Sequence, residues 1–399
     1  MFTNYKNIAF ILIAILILIV RKPDSLSNPQ LWAEDGTVFF AQQYEYGAAS
    51  IFTAYANYLH IVPRLIATLA DSFFSYANIP AVYNYTSLLI TIIVIAHCFS
   101  PRLQLPFKPL LALSIVLVPQ LFNEVFLNIT NLQWILCILL VLTLLKDAPN
   151  KKYGNYTLQV ISDFIIIIFA GLTGPFLIFM FPFFAWKLFN IKITYGYTLL
   201  ITAFCIILIQ LFYIVHSTEN VQMGSIFSLD IYISMIGRKL FGGLFFGRSM
   251  MYSNALFIGI SSLVFFTILL YLSYKKSPVD MQILKIVFMI LSISAAILGA
   301  VIIKCPPDMP IFSGCRYFYV PYVMVAWSLI FCMKQPEIWK NIFVISSLLL
   351  ILYSSISVGI QTNMIDYNWK YHSSLIGKKA IVTIPINPNW YINLYTKKK

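Results

Sequence analysis

Eleven long apolar runs, separated by short polar stretches, constrain this chain more than any other feature. They cover residues 8–20, 82–99, 110–122, 132–145, 158–172, 176–189, 198–215, 255–274, 283–303, 317–333 and 342–360. With 399 residues, 60% apolar and only 10% charged, the chain carries more apolar surface than one compact core can hide. That excludes a soluble enzyme, a disordered chain and a collagen-like fibre. A bilayer absorbs the excess, because ~20 apolar residues in a helix cross its ~30 Å hydrocarbon core. The expected fold class is an all-α polytopic membrane protein with about eleven transmembrane helices and interfacial helices on its outer face.

The first run resembles a signal peptide, but no small-x-small cleavage site follows, so it is read as an uncleaved span. The runs 158–172 and 176–189 are separated only by Gly171-Leu172-Thr173-Gly174-Pro175, a breaker cluster inside a long apolar stretch. The expected organisation is a transmembrane domain over residues 1–360 and an outer C-terminal tail over 361–399. A first outer loop covers 22–81 and a second large outer segment covers 216–254. Residues 61–74 are apolar but interrupted by Arg64 and Asp71, as in a helix lying at the interface.

The net charge of +13 is scattered as ones and twos between the runs, not gathered on one face, so no nucleic-acid partner is expected. Basic residues at loop ends are what membrane insertion selects. With the N-terminus cytoplasmic, the inner loops hold 13 basic and four acidic residues, and the outer segments hold 14 and ten. The nets are +9 inside and +4 outside, which favours N-inside and C-outside; Arg21-Lys22 argues the other way. The tail is then expected on the outer side.

The acids then concentrate on the outer side. Glu34 and Asp35 are adjacent in the first loop, followed by His60 and Arg64. A carboxylate at a membrane surface suits a general base acting on a hydroxyl; the plain alternative is an exposed turn or helix start, which acids also favour. The next outer connection runs from Glu124 to Trp134 and offers Asn128, Asn131 and Gln133, amides beside aromatics that suit sugar hydroxyls. Its plain alternative is helix capping and an interfacial Trp belt. Arg238, Lys239, Arg248, Lys304 and Arg316 are outer cations that suit a lipid phosphate or simply snorkel to head groups.

Cys98, Cys137, Cys205 and Cys332 lie in or beside apolar runs and read as small apolar residues. Cys305 and Cys315 share one outer loop, where pairing stays open. No metal-ligand spacing, P-loop or dinucleotide fingerprint occurs. No cofactor is therefore indicated, though the carboxylates leave a divalent cation open.

Trp32-Ala33-Glu34-Asp35-Gly36, His60-x-x-Pro63-Arg64, the stretch from Asn128 to Trp134, Leu172-Thr173-Gly174-Pro175 and Gly314-Cys315-Arg316-Tyr317 resemble bacterial membrane glycosyltransferases of the GT-C class. Among these are the serotype-converting O-antigen glucosyltransferases. The likeness extends over most of the chain. It implies transfer of a hexose from a polyprenyl-phosphate carrier to a lipopolysaccharide O-antigen or other surface glycan on the periplasmic face. It implies a catalytic base at Asp35, with Glu34 as helper or alternative. Donor phosphate binding would fall to Arg316, Arg64, Arg248 and Lys304. Substrate binding would fall to His60, Glu124, Asn128, Asn131, Gln133 and Trp32. The implied partners are the lipid-linked sugar donor, the glycan acceptor and the bilayer. Two other readings are a lipid-linked saccharide flippase or transporter, which would line a path with buried charge such as Asp163, and an O-antigen polymerase or ligase.

Overall fold

The computed structural model describes residues 5–122, 124–191, 194–216, 233–248, 254–276, 281–304, 314–333, 337–359 and 364–396. Helices occupy all eleven apolar runs. Among the described residues, four helices are long and apolar enough to cross a membrane: Tyr76–His97, Thr194–Val215, Leu256–Tyr274 and Ile338–Val358. At ~1.5 Å per residue, their 19–22 residues reach ~30 Å. The protein is a helical membrane protein. Its long helices present apolar side chains outward, among them Ile201, Phe212, Leu263, Leu349 and Ile356. Small and polar residues such as Ser87, Gln210, Ser273 and Ser354 face inward and are buried.

Most other runs form shorter helices of 10–17 residues, and the run 283–303 lies in the 24-residue helix Met281–Lys304. The expected run 110–122 is helical only over Lys108–Leu117. Val118 turns to an extended conformation because the next residue, Pro119, disfavours the α region before it. The separation at Gly171–Pro175 is observed, with helices Tyr156–Gly171 and Phe176–Ile191 on either side. Gly174 has φ +102°, which favours glycine, and a Cβ on Gly171 would lie 2.9 Å from Leu177.

The first outer segment folds over this turn. His60 pairs with Thr173 as an isolated bridge, and Gly174 N–H donates to Leu59 O at 3.2 Å. Gln210, buried in helix Thr194–Val215, fastens the junction. Its Oε1 accepts from Leu59 N at 3.0 Å, and its Nε2 donates to Gly171 O and Gly174 O, each at 3.2 Å. The segment 61–74 is helical over Ile61–Phe73, with Ile66, Ala67 and Ala70 buried and Leu69 and Phe73 exposed.

The tail adds a feature that an all-α class does not contain. Strands β1 (Ile381–Ile386) and β2 (Trp390–Tyr395) form an antiparallel hairpin, pairing Ile381 with Tyr395 and Ile386 with Trp390. Val382, Ile384 and Ile386 alternate with less buried neighbours, and with Ile392 and Leu394 they form the buried face. That face rests on the first outer segment: Ile386 and Ile392 lie against Gly36, and Ala33 N–H donates to Asn387 O at 2.6 Å. The tail and the first loop therefore share one end of the helical body.

Candidate active site

Glu34 and Asp35 open a short π-helix, Asp35–Phe40. Ala33, just before them, has φ +36° and is held by the tail through Asn387. Such turns re-aim side chains and recur at functional sites. They send the two carboxylates to different neighbours.

Asp35 is fully buried and faces the turn that precedes helix Leu132–Leu145. Its Oδ1 accepts from Thr130 N at 2.9 Å and Thr130 Oγ1 at 2.5 Å, and its Oδ2 from Ile129 N at 3.4 Å. Burial pushes the carboxyl up to about 7, against the opposing pull of the Thr130 hydrogen bonds. Asp35 thus ties the first loop to the 129–130 turn.

Glu34 faces Arg316. Its Oε1 accepts from Arg316 Nη2 at 3.2 Å and from Tyr55 OH at 3.1 Å, while its Oε2 has no hydrogen-bond partner among the described residues. Arg316 Nη1 lies 3.9 Å from Glu124 Oε2, so one guanidinium stands between two carboxylates. Arg316 and Glu124 are the open part of the cluster, with side chains 24% and 21% exposed. Burial raises the Glu124 carboxyl above its usual range, with Arg316 opposing. Gly314, at φ +67°, turns the chain so that Arg316 enters at the start of helix Tyr319–Phe331.

A second cation joins them. Lys22 is buried, donates to Phe126 O at 2.9 Å and lies 5.5 Å from the Trp32 ring centre. Burial brings its ammonium down to about 8, while the charges of Asp35 and Glu124 act in the opposite direction. Read along the chain, Lys22 is only a topology signal after the first apolar run; folding carries it to the acids.

The remaining expected residues divide. Gln133 accepts from Tyr58 OH at 3.1 Å, and His60 lies among the Phe39, Tyr55 and Tyr58 rings, 4.7 Å from the Tyr58 centroid. Both border the cluster through the tyrosines. Asn128 and Asn131 have a different task from the expected sugar contact. Their Nδ2 groups donate to Glu124 O at 2.5 and 2.9 Å, so they shape the turn that carries Glu124 and Thr130. Arg64 is fully buried, donates to Gln42 Oε1 at 2.5 Å and lies 5.0 Å from the Phe39 ring centre. Arg248 donates to Leu121 O at 2.5 Å and lies over Phe122. Neither meets Glu34 or Glu124 in an ion pair. The side chain of Lys304 lies outside the described residues, as does Cys305, and with it any pairing to Cys315. Lys239 is buried 5.9 Å from the Phe318 ring centre.

Thr130, Tyr55 and Lys22 are the members the sequence did not single out. Threonine and tyrosine are too common in this chain to mark a site, and a lysine after an apolar run reads as topology. Among the described residues, no group of three or more His, Cys, Asp or Glu side chains could hold a metal ion. Arg316 supplies the positive charge between Glu34 and Glu124. No protein-family model, curated protein or solved structure matches the chain.

Proposed function

We propose that the protein is an inverting glycosyltransferase that moves a hexosyl group from a polyprenyl-phosphate carrier to a hydroxyl of a surface glycan. The observation that supports this most is the meeting of Glu34, next to the buried Asp35, with a partly open Arg316 at one end of a helical membrane body. In this reading all eleven apolar helices span or enter a bacterial inner membrane, and the end bearing the cluster and the tail faces the periplasm. That orientation follows the positive-inside balance of the sequence.

Both charges have work in such a transfer. The acceptor hydroxyl gives its proton to Glu34 as its oxygen attacks the anomeric carbon from the face opposite the phosphate. The new C–O bond forms and the bond to the phosphate oxygen breaks, so polyprenyl phosphate leaves as an anion. Arg316 stabilises that anion in a site where water is scarce. Glu34 is assigned the proton because its Oε2 is uncommitted, whereas both oxygens of Asp35 accept hydrogen bonds from the 129–130 turn. Asp35 then fixes the loop that aims Glu34. Lys22 and Glu124 complete the field around the leaving group.

The test uses purified full-length protein with a polyprenyl-phosphate hexose and a bacterial surface polysaccharide. Glu34→Gln should lower transfer by ~10²–10⁴-fold, the usual contribution of a positioned general base. Wild-type turnover by Glu34→Gln combined with Asp35→Asn would sink the assignment. Mass analysis of the polysaccharide should show one added hexose per repeat. Longer chains would instead indicate a polymerase, and an unchanged polysaccharide with moved lipid-linked sugar would indicate a transporter.

A further inference from the structure

A cleft of about 320 Å³ opens beside the cluster, between the start of the first outer segment and the tail. It lies near the lower end of the size range of small-ligand sites. Unlike the apolar grooves between the helices, its walls are about half polar. Asn28 and Gln30 form one side, Asn78 another, and Asp366, Asn368 and Lys370 the third. The floor includes Trp369, whose indole N–H donates to Tyr76 O at 2.8 Å and whose ring packs edge-on against Phe40 at 5.3 Å.

The walls are held in place from several directions. Gln30 Nε2 donates to Asn28 Oδ1 at 3.1 Å and reaches Asp366 Oδ1 at 3.4 Å, across the two halves of the cleft. Asp366 Oδ1 also accepts from Asn368 N at 2.8 Å. Ile365 and Asn387 exchange two hydrogen bonds of 3.0 Å, which anchor this part of the tail to the hairpin turn. Asn84 donates to Ser25 O at 2.7 Å and fixes the first wall to helix Ile79–His97. The rim residues Asn28, Asn78, Asp366, Asn368 and Lys370 nevertheless remain exposed, so their side chains face incoming solvent or ligand.

We propose that this cleft binds a neutral carbohydrate segment. Four amides each pair a donor with an acceptor, matching hydroxyl groups, which both donate and accept. One acid and one lysine offset each other, so the walls carry no net charge to attract a phosphate. A rigid, bonded frame keeps the ordering cost of binding low. The cleft rests on the transferase reading only in making that carbohydrate the acceptor; binding itself needs no donor and no chemistry.

The experiment measures binding of the full-length protein in detergent to an array of bacterial surface polysaccharides, without donor. Wild type should bind at least one neutral glycan. Asp366→Ala with Asn28→Ala should bind it about 10-fold more weakly, the effect of losing one or two hydrogen bonds. Ala81→Trp, which fills the cleft without removing a polar group, should abolish binding. The proposal is overturned if no glycan binds or if both variants bind as wild type does. It is also overturned if the cleft variants lose affinity only for phosphatidylglycerol vesicles. Glycan binding through the cleft without any sugar transfer would sink the transferase reading and leave this one standing. Transfer with an unchanged KM in both variants would do the reverse.

Discussion

The two ends of the helical body each bury acids against cations, but they do so differently. At the end away from the tail, Arg102 Nη2 meets Asp163 Oδ2 at 2.6 Å, and Tyr195 OH donates to the same oxygen at 2.7 Å. Arg102 Nε also donates to Asp147 O at 2.8 Å, and Lys187 donates to Leu144 O at 2.6 Å. The side chains of this pair are 6% and 0% exposed. At the tail end, Arg316 stands 3.2 Å from Glu34 and 3.9 Å from Glu124, and it is partly open. One arrangement is short, dry and tied to the backbone, as befits a clasp between helices. The other is longer, and its Arg316 and Glu124 side chains are partly open to the outside, as befits a place for a substrate.

The comparison can be broken by removing one partner at each end. Asp163→Ala should destabilise the protein by ~3–5 kcal/mol, because it leaves the buried Arg102 uncompensated. Thermal unfolding in detergent measures this, and a cost below ~1 kcal/mol would end the view of this pair as a clasp. Arg316→Ala takes the cation from Glu34, whose side chain is only 5% exposed, so it should cost more than the ~1 kcal/mol of an exposed pair but less than the loss at Asp163, while transfer falls by ~10²-fold or more. Equal stability losses at the two ends would erase the distinction.

Gly36→Val sharpens the tail end in a second way. A Cβ there would lie 2.6 Å from Ile386 and 2.7 Å from Ile392, so the hairpin must shift. Overpacking of this kind costs ~1–3 kcal/mol. The tail should become faster to cleave by protease while the helical body keeps its unfolding temperature.

The acid pair also has a pH signature. Folding moves the Asp35 carboxyl from 3.8 to about 7, so the folded protein keeps a proton that the unfolded chain has lost. This contribution to stability is full below about pH 4, declines as pH rises towards 7 and is gone above it. Asp35→Asn should flatten that slope in unfolding temperatures measured across the range. An unchanged slope would mean that another group carries it. The smallest effect belongs to Glu337→Gln. Glu337 pairs with Lys340 at 2.7 Å but is about half exposed, and the change should stay within ~0.5 kcal/mol.

Much of the fold is legible along the chain because a bilayer demands it. Apolar runs become helices wherever backbone groups must be paired internally, and the glycine–proline break at 171–175 separates two of them as written. The tail hairpin was legible too, in the alternation of Val382, Ile384 and Ile386, but that period is short and easily passed over among long helical runs. Helix ends were less so: Lys108–Leu117 stops early through Pro119, although the apolar composition continues to Phe122.

The site divides along the same line. The adjacent acids, Arg316 and Glu124 stand out in sequence because charge is scarce in this chain, and a scarce residue in an apolar setting must have a partner. The sequence by itself therefore determined a helical membrane protein. Only the tertiary structure decided which acid is committed and which is free. That choice depends on contacts between segments far apart in the chain: Thr130 closing on Asp35, Arg316 reaching Glu34, Lys22 reaching Phe126 and the tail pressing on Gly36. Such pairings are set by packing and desolvation in three dimensions, and no local pattern of residues encodes them.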